Sequence, residues 1–203
     1  MKPAQTYPIF MLMAFLVLGA CEVLGQQTYL FSNRSSGGVQ VNAPVFDSDG
    51  SRLSGTNYVA MLYWGTTPDT LAPAFDLTTT ITMKPTPFTY MPNGQAGYFR
   101  YQRGFAGVPI CPPDEPWLQV RAWDLRLGAT YENVLSQNIG GYGVSPIFQT
   151  PGGDACNLVT PEPPRSLIGL QSFSLSPVVP EPSSALLILL GLPWLVWRCR
   201  QKN

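Results

Sequence analysis

The run YVAMLYW, residues 58–64, decides how this chain folds. It carries no charged and no amide side chain, and its valine, tyrosines and tryptophan favour a pleated, packed surface. Successive side chains of a strand point to opposite faces. Here both parities are apolar: Tyr58, Ala60, Leu62 and Trp64 on one, Val59, Met61 and Tyr63 on the other. A short strand of that kind is expected at the centre of a sheet, covered on both sides.

Working outward, the run WLQVRAWDL at residues 117–125 alternates. Leu118, Val120 and Ala122 face one way, and Trp117, Gln119, Arg121 and Trp123 the other. Residues 39–46 alternate too, setting Val39, Val41, Ala43 and Val45 against Gln40 and Asn42. Further β-prone runs lie at 28–33 (TYLFSN), 78–83, 97–103 (GYFRYQR) and 166–175 (SLIGLQSFSL). Gly, Pro, Asn and Asp separate them. No helical periodicity of useful length appears from residue 26 to 177, and no internal repeat. Many short strands with turn signals between them predict an all-β fold, a single antiparallel β-sandwich of jelly-roll or Ig-like type. An up-and-down barrel is the alternative.

Composition narrows the function classes. Charged residues make up 12% of the chain, about half the usual ~25%. Aromatics are too frequent for a disordered polymer, which lacks the apolar surface to offset ordering entropy. Twelve basic residues balance twelve acidic ones. No basic face is available to neutralise phosphates, so nucleic acid is not an expected partner. Histidine is absent, which removes the commonest general base and the commonest metal ligand together. No metal or cofactor is expected, and a Ser-His-Asp triad is impossible.

The two ends differ from the middle. Lys2 precedes an uninterrupted apolar run at residues 9–20 (IFMLMAFLVLGA), followed by Val23-Leu24-Gly25. That order has the three parts of a signal peptide, with cleavage expected before Gln26. The run is short of the ~20 residues that span a bilayer. Leu18-Gly19-Ala20-Cys21 resembles a bacterial lipobox and offers a competing reading, in which Cys21 is lipidated. At the other end Pro180-Glu181-Pro182 is followed by the apolar run ALLILLGLPWLVW, residues 185–197, and then by Arg198, Arg200 and Lys202. The prolines keep the approach extended. The apolar run suits a short transmembrane helix, and the basic end stays on the cytoplasmic side.

Those three parts, in that order, resemble a PEP-CTERM sorting signal. The resemblance covers about the last 25 residues. It implies an exosortase-type membrane protease as partner, a transient stay in the inner membrane, and association with the cell envelope or extracellular polysaccharide. Residues 43–65, 117–124 and 166–175 also resemble a group of exported PEP-CTERM proteins from verrucomicrobial-type bacteria, a likeness that carries no activity with it. A second Pro-Glu-Pro, at Pro161-Glu162-Pro163, has no apolar run behind it and reads as a rigid connector. The expected organisation is a signal peptide at 1–25, a β-sandwich domain at 26–177, and the sorting signal with its short helix at 178–203.

Four cysteines are present. If Cys21 leaves with the leader and Cys199 stays inside the cell, Cys111 and Cys156 remain in an oxidising compartment. One structural disulfide between them is expected, since neither sits in a Cys-x-x-Cys motif.

Three sets of residues invite a chemical reading. Asp47-Ser48-Asp49-Gly50-Ser51 looks like the start of a calcium loop. However, Tyr58 stands where the closing Glu belongs, and Asp-Gly is a strong hairpin turn signal, so a turn is expected. Asp114, Glu115, Asp124 and Glu132 could supply a glycosidase pair, but nothing in their spacing selects two of them. Trp117, Gln119, Arg121 and Trp123 share one strand face. There, two indoles could stack sugar rings while Gln and Arg bond hydroxyls; equally, the aromatics could fill a core. The expectation is an exported, non-enzymatic protein of the envelope or extracellular matrix. A carbohydrate-binding or adhesive module is the first alternative, and an Asp/Glu-based glycan-active enzyme the second.

Overall fold

The computed structural model describes residues 26–35, 41–78, 81–88, 95–102, 104–157 and 159–179. The leader with Cys21, the Pro180-Glu181-Pro182 motif, the apolar run after it and Arg198, Arg200 and Lys202 lie outside the described residues. Among the described residues no helix is long and apolar enough to cross a membrane. The described chain is mostly β-strand in antiparallel sheets, with one helix.

The 58–64 run lies inside the longest strand, β3 (Gly55–Gly65). It pairs along its length with β8 (Trp117–Asp124), from Tyr58 opposite Asp124 to Gly65 opposite Trp117. Around this pair a six-stranded sheet adds β4 (Ala72–Pro73) and β6 (Thr86–Phe88) against β3. Against β8 it adds β9 (Tyr142–Val144) and β10 (Phe148–Gln149). All its pairings are antiparallel. Ala60, Leu62, Leu118, Val120, Ala122 and Trp123 are fully buried, and Val59, Met61 and Tyr63 nearly so. Both parities of β3 are therefore covered, as its composition requires.

A five-stranded sheet centres on β1 (Gln27–Leu30), with β7 (Ala106–Val108) on one side and β11 (Gly153–Asp154) on the other. β5 (Phe75–Asp76) extends it beyond β7. β12 (Arg165–Ser166) joins β1 in parallel, and β2 (Val45–Phe46) and β13 (Phe173–Ser174) form a separate parallel pair. These two parallel contacts depart from the antiparallel expectation.

Other expected strands shorten to fragments. The 97–103 run contributes a single bridge, Arg100 to Ser32, and the 78–83 run one from Thr82 to Phe75. The 166–175 run breaks at Ile168-Gly169, where Gly169 takes φ 94°, and β12 and β13 go to different sheets. Asp47 to Ser51 is a tight turn: Gly50 N donates to Asp47 O at 3.1 Å, and Asp47 N to Ser51 O at 2.7 Å. Gly50 has φ 84°, a conformation that favours glycine.

The helix, α1 (Tyr131–Gln137), is the element the periodicity does not announce. Two turns are too few for a 3.6-residue pattern to register. Its caps are plain in retrospect. The Thr130 hydroxyl accepts from Asn133 N at 3.2 Å, and Asn138 closes the other end in the left-handed conformation, φ 55°. Tyr131 and Val134 bury the inner side.

The last described residues form a strap. Leu175 N donates to Phe46 O, Gly141 N to Ser176 O, Ser176 N to Tyr142 O, and Val179 N to Ile139 O at 2.7 Å. Gly140 and Gly143 let the strap lie this close, since a Cβ at either would strike its backbone at Pro177 and Ser174.

Candidate functional site

Alternation along β8 places Trp117, Gln119, Arg121 and Trp123 on one face, and the register agrees: they lie opposite Gly65, Tyr63, Met61 and Val59 of β3. The face is not an open platform. Trp123 is 0% exposed, because α1 lies over it. Its ring centroid is 6.3 Å from that of Tyr131, which meets Tyr142 at 5.9 Å and Tyr63 at 6.2 Å, all edge to face. Such pairs favour packing beyond simple area burial. Of the two readings of this face, the burial of Trp123 agrees with the one in which its aromatics fill a core.

Arg121 is held rather than presented. Its guanidinium carbon sits 4.0 Å from the Tyr63 ring centroid and 4.9 Å from that of Tyr131. Its Nε donates to Gln119 at 3.0 Å, and it lies 3.5 Å from the Glu132 carboxylate. The Gln119 amide in turn donates to Ser145 O at 3.2 Å. Tyr63 donates its hydroxyl to Glu132 at 2.8 Å. Burial first, and then that carboxylate, push the Tyr63 phenol above its ordinary range. Gln119, Arg121, Tyr63 and Glu132 are thus partnered with one another or with the adjoining backbone, whereas the buried indole N–H of Trp123 has no hydrogen-bond partner among the described residues.

The carboxylates do not converge. Asp124, nearly buried, takes hydrogen bonds from the Arg126 guanidinium at 2.6 to 3.0 Å. Glu132 faces Arg121 and Tyr63 from α1. Arg121 and Asp124 occupy opposite parities of β8, so the two ion pairs belong to different sides of the sheet. Asp114 and Glu115 lie exposed in the loop before β8. Asp47 accepts from the Tyr58 hydroxyl at 2.9 Å.

Cys111 and Cys156 are joined, with their Cα atoms 5.9 Å apart. Cys111 follows β7 and Cys156 follows β11, two of the strands that pair with β1. The link therefore crosses in front of the first described residues, where Gln27 N donates to Ile110 O and Ala155 N to Gln26 O.

The open space lies elsewhere. A cleft of about 680 Å³ runs beside β6. Val59, Pro85, Pro87 and Leu125 give it apolar walls, and Lys84 and Arg100 are its charged groups. Neither cation has an ion-pair partner among the described residues. Thr86 borders the cleft at 2% exposure, and its hydroxyl has no hydrogen-bond partner. An unpaired buried hydroxyl costs about 1–3 kcal/mol. A second cleft, about 630 Å³, shares the Arg100-Tyr101-Gln102 wall and adds Ser32, Arg34 and Phe105. Compared with known proteins, the chain matches no family model, no curated protein and no solved structure.

Sequence reasoning missed these clefts. Their walls come from separate stretches of chain. The one available signal was the density of prolines at Pro85 and Pro87 beside Lys84, which shortens β6 and leaves its flank uncovered.

Proposed function

We propose that this chain is an exported, non-enzymatic protein of the cell envelope or extracellular matrix. Its folded part is a disulfide-stapled β-sandwich, and an exosortase-type membrane protease sorts it through Pro180-Glu181-Pro182. The observation that carries the export part is the Cys111–Cys156 link. Such links persist in oxidising compartments and are rare where thiols are kept reduced. The sorting part rests on the order of Pro-Glu-Pro, apolar run and basic end. The non-enzymatic part is supported by the engagement of Asp124 and Glu132 with arginines in place of an opposed carboxylate pair.

The test is the mass of the mature protein in a host that carries an exosortase. It is expected to begin at Gln26 and to lack the basic end from Arg198 to Asn203. Glu181→Ala should leave the chain uncut in the inner membrane. If the wild-type protein keeps its basic end there, the sorting reading fails and an ordinary single-pass anchor takes its place.

A further inference from the structure

The cleft beside β6 combines two properties. Its volume, about 680 Å³, falls in the range of pockets that take small molecules. Its walls are apolar while both charged groups, Lys84 and Arg100, are cations, and no carboxylate lines it among the described residues.

We propose that this cleft binds a small organic acid, one carboxylate carried on a compact apolar ring. The carboxylate would sit between Lys84 and Arg100. A guanidinium offers a planar, two-pronged donor that fits a carboxylate, and an ammonium adds a point charge beside it. The ring would lie against Pro85, Pro87 and Leu125. An acidic sugar fits less well. Sugar recognition wants an accessible aromatic plane, and the one ring lining the cleft, Tyr101, is 7% exposed with its hydroxyl given to Asp76. This site is independent of how the chain is sorted.

The experiment irradiates the full-length chain with the photoreactive acid benzoylbenzoate and maps the label by peptide mass spectrometry. Label is expected on the peptides holding Lys84 to Phe88 and Arg100 to Gln102. Uncharged benzophenone should label them several-fold less. Unlabelled benzoate should compete, and glucuronate, which has the charge without the apolar ring, should not. Arg100→Met and Lys84→Met should each lower labelling by about fivefold, the scale of one exposed charge contact. Lys84→Arg should retain it. An unchanged denaturation midpoint in every variant shows that the fold is kept. The proposal is overturned if benzophenone labels the cleft as strongly as the acid. It is equally overturned if the label lies elsewhere, or if glucuronate competes as well as benzoate.

Discussion

The odd-numbered face of β8 and the cleft beside β6 both offer rings, arginine and amide side chains, yet one is closed and the other open. On β8 the charged and amide groups find partners: Arg121 with Glu132 and Gln119, Tyr63 with Glu132, Gln119 with Ser145. The buried indole N–H of Trp123 has none among the described residues. In the cleft Lys84 and Arg100 have no ion-pair partner among the described residues. A paired network rigidifies and specifies a packing arrangement. Unpaired cations beside open volume have capacity left for something from outside. Residue type alone does not separate the two regions; the pairing of their charged groups does.

Truncation gives the hardest blow to this comparison. Trp123→Ala removes a fully buried indole under α1 and is expected to cost about 3–5 kcal/mol in chemical denaturation. A small change in midpoint would mean that the closed face is not packed, and the contrast collapses.

The cross-link supplies the next test. The loop from Cys111 to Cys156 contains β8, α1, β9 and β10, whereas Lys84, Thr86 and Arg100 lie outside it. Replacing both cysteines by serine is expected to lower stability by about 2–4 kcal/mol. Hydrogen exchange should accelerate first within the loop. Faster exchange led by β6 would reverse the assignment of rigid and open regions.

Tyrosine hydroxyls sharpen the contrast further. Tyr63→Phe removes the donor to Glu132 and is expected to cost about 1 kcal/mol at neutral pH. It should also blunt alkaline unfolding. Burial pushes the phenols of Tyr63 and Tyr29 upward in the folded chain, while the unfolded value stays near 10. Their contribution is therefore complete below pH of about 10 and is lost above it, as the unfolded chain releases its protons first. A stability curve that is flat between pH of about 9 and 12 would contradict these placements.

The smallest effects belong to the cleft. Lys84→Ala is expected to move stability by no more than about 0.5 kcal/mol. Thr86→Val keeps the shape and removes the orphaned hydroxyl, so it should be neutral or stabilising by about 1 kcal/mol. A marked destabilisation from Thr86→Val would show that the hydroxyl has a partner within the fold.

What was legible in the sequence follows from the range of the forces involved. Alternation is local, so the strands at β3 and β8 and the side on which each of their residues lies could be read directly, while their pairing with each other could not. The turn at Asp47 to Ser51 was equally local, since Asp-Gly carries its own geometry. Coverage is not local: whether Trp123 is open depends on Tyr131, which belongs to a helix too short to leave a periodic trace. Pairing choice is not local either. Gly169 divides the 166–175 run so that its halves join different sheets, one parallel to β1 and one parallel to β2. The Cys111–Cys156 link was readable because elimination left two candidates. The cleft was not, because its walls meet only once the chain has folded.

The strap has a consequence for reach. Among the described residues its last hydrogen bond to the body is made by Val179, and Pro180 has no amide hydrogen to donate. Five residues, 180–184, separate Val179 from the apolar run at Ala185. Fully extended, that stretch spans about 20 Å. While the proposed tail is in the bilayer, the body is then moored within about 20 Å of the apolar run. A protease reading Pro180-Glu181-Pro182 must work in the gap between the two. Lengthening the leash with a Gly-Ser insert after Val179 is expected to speed processing, and an unchanged rate would mean that clearance is not what limits it.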